Sequence, residues 1–225
     1  MGRWGARIVA TVAALLALAA APAAAQRAGP PGRFDYYLLD LSWSPEYCAR
    51  RGDLPSAAMQ CAGSRRYGFI AHGLWPQFED GNWPLACRPG ERLPDEVVRS
   101  MLPLMPGEGL VRHEWKAHGS CTALAPDRYF ALVASAFARL RIPPAFADPA
   151  RPPRLDAASL RALFLDANPG LPPDGFALVC RRDGRTLREL RFCLDKRAGF
   201  RHCGARVADS CRGRLWIVPL APNDD

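Results

Sequence analysis

Eight cysteines, Cys48, Cys61, Cys87, Cys121, Cys180, Cys193, Cys203 and Cys211, all lie downstream of one apolar leader, and nothing else in the sequence restricts the fold as strongly. The leader, "MGRWGARIVATVAALLALAAAPAAAQRAG", places Arg3 and Arg7 before an uncharged run ending in small residues, the pattern of a secretory signal peptide cut after Ala25. An uncleaved anchor is the rival reading, and the Ala23-Ala24-Ala25 end favours cleavage over it. An even cysteine count behind such a leader implies disulfides formed in an oxidising compartment, periplasmic or extracellular. Spacing alone does not choose their pairing. Structural zinc is the competing reading, and the lack of any C-x-x-C pair argues against it.

Residues 26–225 then form one domain, long enough to bury a sizeable core, with no second apolar run able to span a bilayer. Loss of Arg3 and Arg7 lowers the formal charge from +8 to +6, a basic balance that leans towards polyanions. "FDYYLLDLSW" from Phe34 reads as a strand ended by Pro45, and "YGFIAHGLW" from Tyr67 as a strand ended by Pro76. Helices are expected from Pro94 to about Pro103, across "VRHEWKAHGSC" to Gly119, from Pro126 to Pro143, and over "LDAASLRALFLDANPG" with Asp156 as cap. "GFALVCR", "TLRELRFCLD" and "RLWIVPL" read as strands, the first two joined near Asp183-Gly184 as a hairpin. Mixed elements without strict alternation favour an α+β fold, an antiparallel sheet with flanking helices.

Of the four histidines, His72, His113 and His118 fall in two short motifs, while His202 sits in the cysteine-rich end and reads as structural. "HEWKAH" is not a zinc helix: its histidines are separated by five positions, about 140° around a helix, too far apart to share one ion from one face. No metal and no cofactor is expected. Glu114 and His118 are instead about 40° apart and can address one site together. With His72 arriving from a strand, the chain offers two imidazoles, one to act as base and one as acid. No G-x-S-x-G elbow exists and the cysteines are committed, so the nucleophile belongs to the substrate. Single-stranded RNA carries such a nucleophile in its 2′-hydroxyl.

"FIAHGLWPQ" (Phe69–Gln77) and "HEWKAHGSC" (His113–Cys121) resemble the two active-site segments of the ribonuclease T2 family, and "LSWSPEYC" (Leu41–Cys48) resembles its first-strand signature. The resemblance covers most of the chain after the leader. It implies the family's α+β fold and a secreted, metal-independent endoribonuclease that forms 2′,3′-cyclic phosphates and then 3′-phosphates. It assigns His118 as base and His72 as acid in the first step, His113 to phosphate and Glu114 to the transition state. Trp75 and Trp83 match aromatics that stack on bases. It also implies the pairing Cys48–Cys61, Cys87–Cys121, Cys180–Cys211 and Cys193–Cys203. A monomer that leaves the membrane on signal cleavage is expected.

Two positions depart from the family pattern. The lysine that precedes the second histidine in the family is Ala117 here, and Lys116 stands one residue earlier, about 200° around a helix from Glu114. A slower enzyme, an arginine supplied from elsewhere, and a local bulge that restores Lys116 to the substrate are the three outcomes. Gln77 replaces an acid that some members use to read adenine, and its amide can still bond a base edge. A catalytically weak RNA-binding or surface-binding protein on the same scaffold is the alternative function.

Overall fold

A computed structural model describes residues 29–221; the leader, and with it the expected cleavage site, lies outside the described residues. Four antiparallel strands pair in the order β2-β1-β4-β3: β1 (Tyr36–Trp43), β2 (Phe69–Gln77), β3 (Phe176–Cys180) and β4 (Leu187–Leu194). Six helices surround them: α1 (Ser44–Arg51), α2 (Ala58–Cys61), α3 (Asp95–Met101), α4 (Glu108–Ala117), α5 (Pro126–Arg139) and α6 (Ala157–Ala167). The Asp156 carboxylate accepts from Ser159 N at 2.7 Å and caps α6, satisfying one of the free N–H groups at a helix start.

The strands alternate as a two-faced sheet requires. Tyr37, Leu39, Leu41 and Trp43 of β1, with Leu190 and Phe192 of β4, face Trp115 of α4, Tyr129 and Phe130 of α5 and Phe164 of α6. That face holds the main apolar core. The opposite face carries Leu38, Asp40 and Ser42 from β1, paired across to Cys193, Arg191 and Glu189 of β4. At one end of this second face a small cluster of Tyr36, Leu38, Cys193, Trp75, Cys203 and Val207 seals it. Its other end is polar.

Two local expectations are corrected and two are refined. Pro76 does not end β2 but pairs with Tyr37 within it; β2 is an edge strand, where the missing N–H is tolerated. Pro45 ends β1 by opening α1, a helix that the sequence pattern does not announce. "RLWIVPL" is not a strand of the sheet, since it makes only single bridges, Asp156 to Arg214 and Thr186 to Trp216. The β3–β4 connection is longer than a two-residue hairpin, with Asp183 Oδ1 accepting from both Arg185 N and Thr186 N.

Disulfides join Cys48 to Cys61, Cys87 to Cys121, Cys180 to Cys211 and Cys193 to Cys203. The Cys87–Cys121 bridge spans 34 positions and fixes the segment after α4 to the loop after β2. On the chain-entropy account its loss costs about 4 kcal/mol. Cys87→Ala/Cys121→Ala is therefore expected to lower the urea midpoint markedly and, by freeing the denatured chain, to raise the m value; an unaltered midpoint would show the bridge to be dispensable.

Candidate active site

A β-bulge places the first histidine. Asp40 of β1 pairs with Gly73, and Leu41 pairs with Ala71, so His72 is the extra residue of β2. Ala71 keeps its place in the core while His72 turns onto the polar face, where Ser42 Oγ lies 3.2 Å from its Nδ1 and Asp40 Oδ1 3.7 Å. The side chain is 31% exposed, enough for a substrate to reach it.

α4 lies along edge strand β2 and divides its side chains between the faces. Trp115 enters the core, and the buried Glu114 reaches the polar face. Its carboxylate occupies the space beside Gly73 that a side chain would fill, because a Cβ there would overlap Glu114 Oε2 outright. Trp75 Nε1 donates to that same Oε2 at 2.7 Å, and Glu114 Oε1 stands 3.6 Å from His72 Nε2. α4 ends at Ala117, and His118 follows at its C-cap, half-buried and stacked on Trp75 with ring centroids 5.1 Å apart. Gly119 is required next, since a Cβ there would meet Trp115 and Tyr129 at 2.6 and 2.8 Å. His72 meets the edge of the same indole at 5.4 Å. Trp75 thus holds the two imidazoles and the carboxyl in one cluster.

The electrostatics of the two imidazoles differ. His72 has carboxyl groups of Asp40, Glu114 and Glu189 around it; burial lowers its pKa, Glu189 opposes that, and Arg191 reinforces it. His118 has no acid partner among the described residues, and its Nδ1 is buried and unbonded, leaving Nε2 as the available nitrogen. Burial, then the charges of His113 and His72, push its pKa down to about 3. Burial drives Glu114 up to about 8 against the Trp75 hydrogen bond, so its carboxyl is protonated at neutral pH. A neutral carboxyl donates a hydrogen bond where a carboxylate cannot.

Behind His72, Arg191 Nε donates to Asp40 Oδ2 at 2.9 Å and Nη2 to Glu189 Oε2 at 2.7 Å, while Arg188 pairs with Glu189 at 3.0 Å. Asp40, wholly buried, is pushed well above the usual carboxylate range by that burial and by Glu189. Asp40, His72 and Glu189 are close enough to share a cation, but the guanidinium of Arg191 already balances both carboxyl groups. Ser42 falls within the first-strand signature without being singled out by it, and neither motif nor spacing picks out Asp40, Glu189 or Arg191. The one signal available is an aspartate in the middle of an apolar strand.

The other expected residues are scattered. His113 is exposed and lines, with His72, a cleft of about 680 Å³ walled by Tyr47, Met59, Ile70 and Leu110. Lys116 projects to solvent on a regular helix, with no bulge to turn it inward, and Ala117 is buried. The cations that act on His72 are instead Arg191 and Arg188 of β4. Gln77 is not presented to a base: it is 6% exposed, at the far end of β2, and its amide donates to the Pro76 carbonyl. Trp75 offers no free platform either, being in contact with His118, His72 and, at 5.3 Å, Arg191. Trp83 is half-buried in the loop after β2. His202 pairs with Asp174 at 2.6 Å, on the exposed surface.

The model of the Ribonuclease T2 family matches residues 34–203. A ribonuclease of Aeromonas hydrophila is 37% identical over 201 residues, covering 82% of this chain and 84% of the relative. Ribonuclease I of Escherichia coli is 29% identical over 52% of this chain and 58% of its own. Among solved structures, trichomaglin, titled an S-like ribonuclease, superposes with a TM-score of 0.67 at 22% identity over 84% of this chain and 100% of its own. RNase NT, solved with 5′-AMP, gives 0.60 at 22% identity over 83% and 98%. At such identities the structural likeness speaks to the fold.

Proposed function

The chain belongs to the ribonuclease T2 family, and from that premise we propose that it is an endoribonuclease whose base is His118 and whose acid is His72. The observation that carries the assignment is the unequal surroundings of the two rings. A base must be neutral to take a proton, and His118, without a carboxylate partner among the described residues, remains neutral to about pH 3. An acid must be protonated, and His72 alone has an ionised carboxylate beside it, that of Glu189, which raises its pKa against the lowering by burial.

His118 Nε2 removes the 2′-hydroxyl proton, and the 2′-oxygen attacks phosphorus. His72 Nε2 gives its proton to the departing 5′-oxygen, leaving a 2′,3′-cyclic phosphate. The roles then reverse as water opens the ring to a 3′-phosphate. Glu114, protonated and adjacent to His72 Nε2, donates to a non-bridging oxygen as charge develops there. His113, at the rim, contacts the phosphate, and the apolar cleft beside it takes a neighbouring base. With Lys116 turned away, the arginines behind His72 are the cations closest to this reaction. Eight cysteines in four bridges fit an exported protein.

The test is single-stranded RNA incubated with the mature protein in EDTA, beside a His118→Ala control. Cyclic phosphate ends made by the wild type alone are expected. Because His72 ionises below the ordinary histidine value and His118 stays neutral to about 3, kcat should rise as pH falls through neutrality and decline only in strong acid. RNA bound without turnover at any pH would select the binding-protein reading.

A further inference from the structure

Trp216 is 59% exposed, more than any other large apolar side chain among the described residues. It lies on the extended segment after Cys211, where Leu215 and Ile217 point into the core and Arg214 and Trp216 point out, as alternation along an extended chain dictates. Its backbone is fixed on both sides, Trp216 N donating to Arg185 O at 2.8 Å and Leu187 N to Trp216 O at 3.0 Å. Beside it runs a groove of about 350 Å³ lined by Arg151, Pro152, Pro153 and Arg154. Arg154, Arg185 and Arg214 are exposed and pair with no carboxylate of the described residues; Arg151 pairs with Asp148. The groove shares no lining residue with the catalytic cleft.

An indole on a rigid backbone, set among unpaired guanidinium groups, is the combination that binds a single strand, bases stacking on the ring and phosphates on the charges. An anionic lipid surface is the other polyanion of this chemistry, but insertion needs a patch of apolar side chains. Trp216 is the one exposed large apolar side chain of this groove, since Met59 lines the catalytic cleft and Leu54 lines neither.

We propose that the Trp216 groove is a second binding surface for single-stranded RNA, one that holds long strands away from the catalytic cleft. It rests on the ribonuclease reading above for its biological use, though not for its measurement. In the mature His118→Ala chain, whose cleavage is slowed, binding of a labelled uridine oligonucleotide of about 20 nucleotides is followed by anisotropy. Trp216→Ala should weaken it roughly tenfold and Trp216→Phe much less. Arg154→Glu/Arg214→Glu should weaken it and reduce the slope of affinity against salt by about 0.7 for each phosphate no longer neutralised. In the chain with His118 intact, the same changes should raise KM for long RNA and leave dinucleotide cleavage unaltered.

Oligonucleotide affinity within about twofold of the parent in all three variants would overturn the proposal. So would equal losses on long RNA and dinucleotide, or phosphatidylglycerol vesicles that bind the parent and not the variants. A parent chain that binds the oligonucleotide through Trp216 but cleaves no dinucleotide would overturn the ribonuclease reading and leave this surface standing.

Discussion

His72→Ala and His118→Ala should each lower kcat for dinucleotide cleavage by roughly 10²–10⁴-fold, but only the first should recover on a substrate with an aryl leaving group. A nitrophenolate departs without a proton, so the acid becomes dispensable, whereas the 2′-hydroxyl still needs a base. The comparison is therefore a direct readout of which ring does what. The surroundings of the rings predict the outcome: the ionised Glu189 stands beside His72 and favours its protonated form, while His118 Nδ1 is buried without a partner among the described residues. Recovery by His118→Ala and not by His72→Ala would reverse the roles. Recovery by neither would mean that neither ring acts as the acid.

Gly73→Ala should be nearly as damaging, although it changes no ionisable group. The added methyl takes the space of Glu114 Oε2 and would come within 2.5 Å of Trp75 Nε1. Glu114 must swing away, which removes a donor to the developing phosphorane charge, an effect of about 10²–10³-fold in kcat. It also leaves the Trp75 N–H without its acceptor, at about 1–3 kcal/mol of stability. Adding Glu114→Ala to Gly73→Ala should relieve the crowding and restore part of the melting temperature without restoring kcat. A Gly73→Ala enzyme of near-normal kcat would show that Glu114 needs neither this place nor this partner.

What is legible in the sequence divides along physical lines. The α+β class, β1, β3 and β4 and the helices α3 to α6 follow from periodicity, proline and capping, because those signals are local. The segments carrying His72, Glu114 and His118 are legible as well, since each is a run of unusual residue types. The carboxylates and guanidinium behind His72 are not. Asp40, Ser42, Glu189 and Arg191 become neighbours only when β1 pairs with β4, some 150 positions apart. Trp75 is undecided from sequence for a related reason: an indole near a catalytic histidine suits base stacking and scaffolding equally, and the 2.7 Å bond to Glu114 and the stacked His118 add the scaffolding contacts. Lys116 follows the opposite course. Helical geometry alone points it away from Glu114, and the regular α4 keeps it there.

The bulge at His72 makes the acid a matter of strand length as well as residue identity. Exchange of Ile70 for another apolar residue would reshape one wall of the cleft and leave the length of the strand intact. Removal of Ala71 would let β2 pair regularly with β1 and set His72 opposite Leu41, on the core face, with the rest of the strand still on its present faces. Edge strands elsewhere absorb such slips, yet here a slip of one position separates a ring that meets RNA from a ring buried among phenylalanines. Length changes in β2 thus reach the centre directly, while loops can lengthen and shorten around it unchanged.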